Sequence, residues 1–114
     1  MCFTLGDEKE YIAQKNIICY KVALATKNEK VFYSPYRNSK YTLGKKRRTI
    51  NLKWSGLYIK QIEKGYHSYR SKAAVSFWAD YDTAIVKCII PIGSKYYKND
   101  EEYVSSSIIM IEKI

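Results

Sequence analysis

The run from Ala84 to Ile90 (AIVKCII) constrains the fold more than any other stretch of the chain. Six of its seven residues are apolar, and Pro91 and Gly93 close it. An apolar run that short, bounded by turn residues, reads as a buried strand. Ile17 to Leu24 (IICYKVAL) reads as a second strand. Alternation places Ile18, Tyr20, Val22 and Leu24 on one face and Ile17, Cys19, Lys21 and Ala23 on the other. Lys27-Asn28-Glu29 supplies a turn and Val31 to Tyr33 its hairpin partner. Leu57 to Ile62 is a further strand, Asn99-Asp100 a turn, and Ile108 to Ile111 a closing strand. Glu8 to Gln14 is predicted to form a short helical turn.

One stretch has a sustained helical period. Ala74, Phe77, Trp78 and Tyr81 recur at i, i+3, i+4 and i+7, and Ser71 can cap the segment. The main helix is therefore predicted over about residues 71–81. The order of elements implies an α+β domain, a mostly antiparallel sheet with one main helix. A chain of 114 residues without internal repeats fits a single domain spanning 1–114.

The three cysteines, Cys2, Cys19 and Cys88, are odd in number and widely spaced. That argues against a disulfide framework and for a reducing compartment. With His67 as the sole histidine, a structural zinc site is not expected. No cofactor is expected either, because Gly6, Gly44, Gly56, Gly65 and Gly93 match neither GxGxxG nor a P-loop. The first ten residues (MCFTLGDEKE) lack the apolar core of an export signal, and residue 2 is not the glycine that myristoylation needs. No stretch approaches the ~18 apolar residues of a membrane span. The expected location is cytoplasmic, with no membrane partner.

Charge is unevenly placed. Of the net +9, residues 1–20 contribute −1, residues 21–72 contribute +12 and residues 73–114 contribute −2. A field so lopsided attracts polyanions and speeds their association. Sixteen Lys against four Arg, with fourteen Ile and twelve Tyr, is also what AT-rich coding yields whatever the function. The clustering, not the total, carries the inference.

Within that segment, Ser34 to Trp54 has Pro, Asn and Gly punctuation and no period, so it reads as a long loop of the kind that often carries function. Lys45-Lys46-Arg47-Arg48 lies inside it with Lys40 and Lys53 nearby, six cations in fourteen residues. Tyr33, Tyr36, Tyr41, Trp54, Tyr58, Tyr66 and Tyr69 interleave with the charges. Either these aromatics stack on bases beside a phosphate-binding run, or they fill the core and the run is a solvated loop. In the binding reading, Lys40, Lys45, Lys46, Arg47, Arg48 and Lys53 supply the field. Arg37 and Arg70 grip phosphate, and Tyr36, Tyr41 and Trp54 stack. Replacing Lys45 through Arg48 by Ala is then expected to leave the fold intact. No RNA-recognition, KH or helix-turn-helix signature is present.

No catalytic constellation stands out. His67 and Ser68 are adjacent on a predicted strand and so point to opposite faces, which makes a poor nucleophile–base pair. Asp100-Glu101-Glu102 reads as a solvated turn, and Asp80 and Asp82 as surface charge at a helix end.

The succession CYKV (19–22), SPY (34–36), GYHSY (65–69) and VKCIIPIGSKYY (86–97) resembles a group of uncharacterised small proteins of gut bacteria and their phages. The resemblance covers most of the chain and implies a phage or mobile-element setting. Small proteins there often block host defence by binding a Cas protein, its guide RNA or a nucleotide messenger. IIPIGSKYY also resembles the late strand of ADP-ribosyltransferases. That likeness implies an NAD site built from Lys21, Ser68 and Glu101 or Glu102, although Lys21 departs from the Arg or His of that family.

The leading expectation is a non-enzymatic binding protein for nucleic acid, guide RNA or a small nucleotide. The alternatives are a counter-defence inhibitor whose basic face meets an acidic protein, and a small NAD-using enzyme. Oligomeric state stays open.

Overall fold

The computed structural model describes residues 3–4, 9–34, 39–55, 61–77, 79 and 83–114. Its strands are β1 (Phe3–Thr4), β2 (Tyr11–Ile12), β3 (Ile17–Ala25), β4 (Val31–Tyr33), β5 (Lys40–Thr42) and β6 (Lys53–Ser55). They continue with β7 (Gln61–Lys64), β8 (Tyr66–Tyr69), β9 (Thr83–Ile90), β10 (Lys95–Lys98), β11 (Glu102–Ser105) and β12 (Ile109–Lys113). Helix α1 (Lys72–Ser76) lies between β8 and β9. The fold is α+β, a mostly antiparallel sheet with, among the described residues, a single short helix.

The larger sheet runs β12-β9-β3-β8-β11-β10-β2, with β4 added to β3 and β5 to β4; β1-β7-β6 form a smaller one. At its centre β3 and β9 pair over eight positions, from Ile17 opposite Ile90 to Leu24 opposite Thr83. The face of β3 that carries Cys19 and Ala23 meets Val86, Cys88 and Ile90 of β9, all buried. Phe32, Tyr41, Tyr66, Ile108 and Met110 complete this core. Its opposite face is open enough to leave Ile18 half-exposed.

A second, smaller core forms where β10 and β11 present their other side. Tyr97 and Val104 pack there against Ile62 of β7 and Leu52, which joins the two sheets. Gly65 sits at that seam: a Cβ on it would lie 2.4 Å from Val104 Cγ2 and 2.9 Å from Leu52 Cδ2. Only glycine lets the turn between β7 and β8 approach so closely.

Several elements differ from the sequence expectation. The helix is five residues long, capped as expected by Ser71, whose Oγ accepts from Ala74 N at 3.1 Å. A helix barely longer than one turn offers few inward positions. The one filled is Val75, fully buried, whereas Phe77 is 82% exposed and outside any buried stripe. Trp78 and Tyr81 lie outside the described residues, as do residues 57–60 of the predicted Leu57–Ile62 strand. Glu8 to Gln14 is not helical where it is described. Tyr11 pairs with Tyr96 of β10, and Ala13 exchanges backbone bonds with Ser94 and Gly93, so ladder partners override local helical preference. The Ser34–Trp54 loop contains β5 and the start of β6. Among the described residues no helix is long and apolar enough to cross a membrane.

Candidate polyanion-binding cleft

Beyond β5 the chain turns sharply at Gly44, whose φ of +79° favours glycine, and Lys45 N donates back to Thr42 O. It then runs along the free edge of β12. Gly44 N donates to Met110 O at 2.7 Å, Lys46 bridges Ile109, and Arg47 N donates to Ile108 O at 2.9 Å. The basic run is thus a strap that satisfies an otherwise open sheet edge. It is held from the carbonyl side as well: Ser107 Oγ donates to Arg47 O at 2.8 Å and Tyr66 Oη to Arg48 O at 2.7 Å.

Arg47 anchors the strap. Its guanidinium lies 4.6 Å from the Tyr41 ring centroid and 5.6 Å from that of Tyr66, and it donates to Lys40 O. Arg47 is half-buried, while Lys45, Lys46 and Arg48 are exposed. The cations gather around a cleft of about 380 Å³, with Lys40, Thr42, Lys45 and Lys46 among its walls. Arg47, Arg48 and Tyr66 also line it, and among the described residues no carboxylate does. Like charges converging in one concave site raise the local potential and the residence of anions.

Five of the residues singled out from the sequence therefore come together: Lys40, Lys45, Lys46, Arg47 and Arg48. Tyr41 corrects its expected role as a base-stacking ring. It is 5% exposed, one face taken by Arg47 and Lys21 Nζ 5.5 Å from its centroid, so it seats a cation. Arg70 is elsewhere, at the far end of β8 from Tyr66, about 13 Å along the strand. There it donates to Asn99 O and lies 5.5 Å from the Tyr103 ring. Lys53 is exposed on β6 of the smaller sheet and does not line the cleft. Tyr36 and Arg37 lie outside the described residues, and Trp54 has a described backbone only. Thr42 and Tyr66 were not chosen from the sequence as ligand-binding. In the sequence Tyr66 is one of many interleaved aromatics, and nothing local marks Thr42.

The residues implied by the transferase resemblance do not converge. Lys21 and Ser68 share the core face, where Lys21 Nζ donates to His67 O and Ser68 is 1% exposed. Glu102 is the register partner of Tyr69, one position on, and so stands on the other face of the sheet. Burial and, second to it, Asn99 and Glu101 act on Glu102, and the net effect lifts its carboxyl above the usual range. Among the described residues no group of three or more His, Cys, Asp or Glu could hold a metal ion. Comparison with protein-family models, curated proteins and solved structures returned no match.

Proposed function

We propose that this is a non-enzymatic binding protein for a phosphate-rich ligand, a nucleic acid or nucleotide, held at the basic cleft. The observation that supports it is the seating of Arg47 on Tyr41 and Tyr66 amid Lys40, Lys45, Lys46 and Arg48, with no acid among the described residues lining the space. A guanidinium already oriented by two rings loses less freedom when it forks onto a phosphate.

The test is anisotropy of labelled nucleic acids against salt. Each phosphate contacted adds about −0.7 to −0.9 to the slope of log affinity on log salt. The informative variant carries Lys45→Ala, Lys46→Ala and Arg48→Ala and keeps Arg47, with circular dichroism confirming the fold. Weaker binding with a slope flatter by about 2 to 3 is expected. Unchanged affinity overturns the reading, as does recovery of an acidic protein with no affinity for nucleic acid.

A further inference from the structure

Tyr11, Tyr96 and Tyr103 come from three neighbouring strands, β2, β10 and β11, and stand on one face of the sheet. Tyr11 and Tyr96 are register partners with rings stacked at 5.4 Å and 22°. Tyr103, opposite Lys98, meets Tyr96 edge-on at 5.8 Å and 84°. All three residues are partly exposed, Tyr96 and Tyr103 with the rest of their surface packed against the main core. Cations crowd them: Lys9 and Lys98 lie 5.0 and 4.8 Å from the Tyr11 centroid, and Arg70 lies 5.5 Å from that of Tyr103. A groove of about 500 Å³ opens beside Tyr11 and Tyr96, with Lys9 and Lys15 on its walls. Glu10, a carboxylate on its wall, accepts from Tyr97 Oη at 2.9 Å.

The register ties this surface to the basic cleft. Tyr66 of the cleft is paired with Ser105, Ser105 with Tyr96, and Tyr96 with Tyr11. Tyr66 and Tyr11 are thus three strand spacings apart in one cross-strand row, about 14 Å. That exceeds the reach of one nucleoside monophosphate and suits a strand of several nucleotides. We propose that the ligand is a single-stranded nucleic acid, its phosphates in the cleft and its unpaired bases stacked on the Tyr11–Tyr96–Tyr103 surface. The proposal rests on the polyanion reading of the cleft. Stacking needs base faces that a duplex hides, and aromatic rings interspersed with cations are how sequence-tolerant single-strand sites are built.

The experiment compares labelled twelve-residue oligo-dT, oligo-U and an abasic strand of equal length on the full chain. Tyr11→Leu removes the ring but keeps apolar bulk, and Tyr11→Trp restores a ring. With stacking worth about 1–3 kcal/mol per base, Tyr11→Leu should weaken binding about 5- to 150-fold at unchanged salt slope. Tyr11→Trp should retain affinity, and the abasic strand should bind the native protein as weakly as oligo-dT binds Tyr11→Leu. Oligo-dT and oligo-U should both bind, because every base offers a π-face. Equal binding of the abasic strand, or no effect of Tyr11→Leu, overturns the stacking surface. If the triple cleft variant still loses affinity in that case, the cleft reading survives. If the native protein binds none of the strands, both fall.

Discussion

The guanidinium of Arg47 lies 4.6 Å from the ring centroid of Tyr41, a side chain 5% exposed in the main core. The most central cation of the basic run is therefore also a structural one. It closes over the core, donates to Lys40 O and fixes the strap across the edge of β12.

Arg47→Ala is accordingly expected to cost about 1–2 kcal/mol in urea unfolding, the range for a partly desolvated cation–π contact. Lys45→Ala, Lys46→Ala and Arg48→Ala should each fall within about 0.5 kcal/mol of the native protein, as exposed substitutions do. Arg47→Lys keeps the charge and loses the flat stacked fork, so it should recover only part of the loss. Equal stability of all four alanine variants would show that the strap is not anchored through Arg47. The expectation that all four cations can be replaced with the fold intact therefore meets its strictest test at Arg47.

What was legible in the sequence follows from which forces are local. β3 and β9 were readable because each is long and its apolar residues sit where one sheet face needs them. β10 (KYYK) and β11 (EYVS) were not, since four residues with charged ends carry too little pattern. Their alternate side chains also serve two different cores, so neither face dominates. Phe77 misled for the opposite reason: its helical spacing is real, but α1 ends before it. The cation cluster was legible because it is contiguous. What fixes it was not, because Tyr66 and Ser107 reach the strap from 18 and 60 residues away.

The seam between the two sheets gives a second prediction. A methyl group at residue 65 would meet Val104 and Leu52 at 2.4 and 2.9 Å, and Val104, fully buried and branched at Cβ, has little room to turn away. Gly65→Ala is expected to destabilise by about 1–3 kcal/mol, the usual cost of overpacking. Shortening the nearer neighbour in the double variant with Val104→Ala should recover part of that loss relative to the sum of the single changes. Strict additivity in a double-mutant cycle would place the strain elsewhere.

Glu102 sets a pH dependence. Burial is the largest influence on its carboxyl and raises the pKa above the ordinary 4.5; Asn99 opposes it and Glu101 adds to it. A raised folded-state pKa means that the charged form is disfavoured in the native protein. The cost is present at neutral pH, shrinks as pH falls through the raised value, and vanishes below the unfolded value. Glu102→Gln should therefore stabilise the protein at pH 7, with a gain that dwindles as the pH approaches 4.5. A stability difference between the two proteins that does not change with pH across that window would contradict the assignment.

Cys19 and Cys88 face each other directly across β3 and β9, both free and both without solvent exposure. Cys88 is held protonated by the neighbouring Cys19 thiol and, next to that, by burial. A thiol reagent needs both the thiolate and a path to the sulfur, and the folded core denies Cys88 both. With Cys2 replaced by Ser to silence the third thiol, the folded protein is expected to react with Ellman's reagent no faster than it unfolds. Two thiols should then appear promptly in denaturant. Because reaction requires opening of the central strands, and reclosing outpaces the reagent, variants that lower stability, Gly65→Ala among them, should speed it in proportion to the population of open molecules. Rapid labelling of the native Cys2→Ser protein at neutral pH would mean that the β3–β9 pairing opens independently of the rest of the fold.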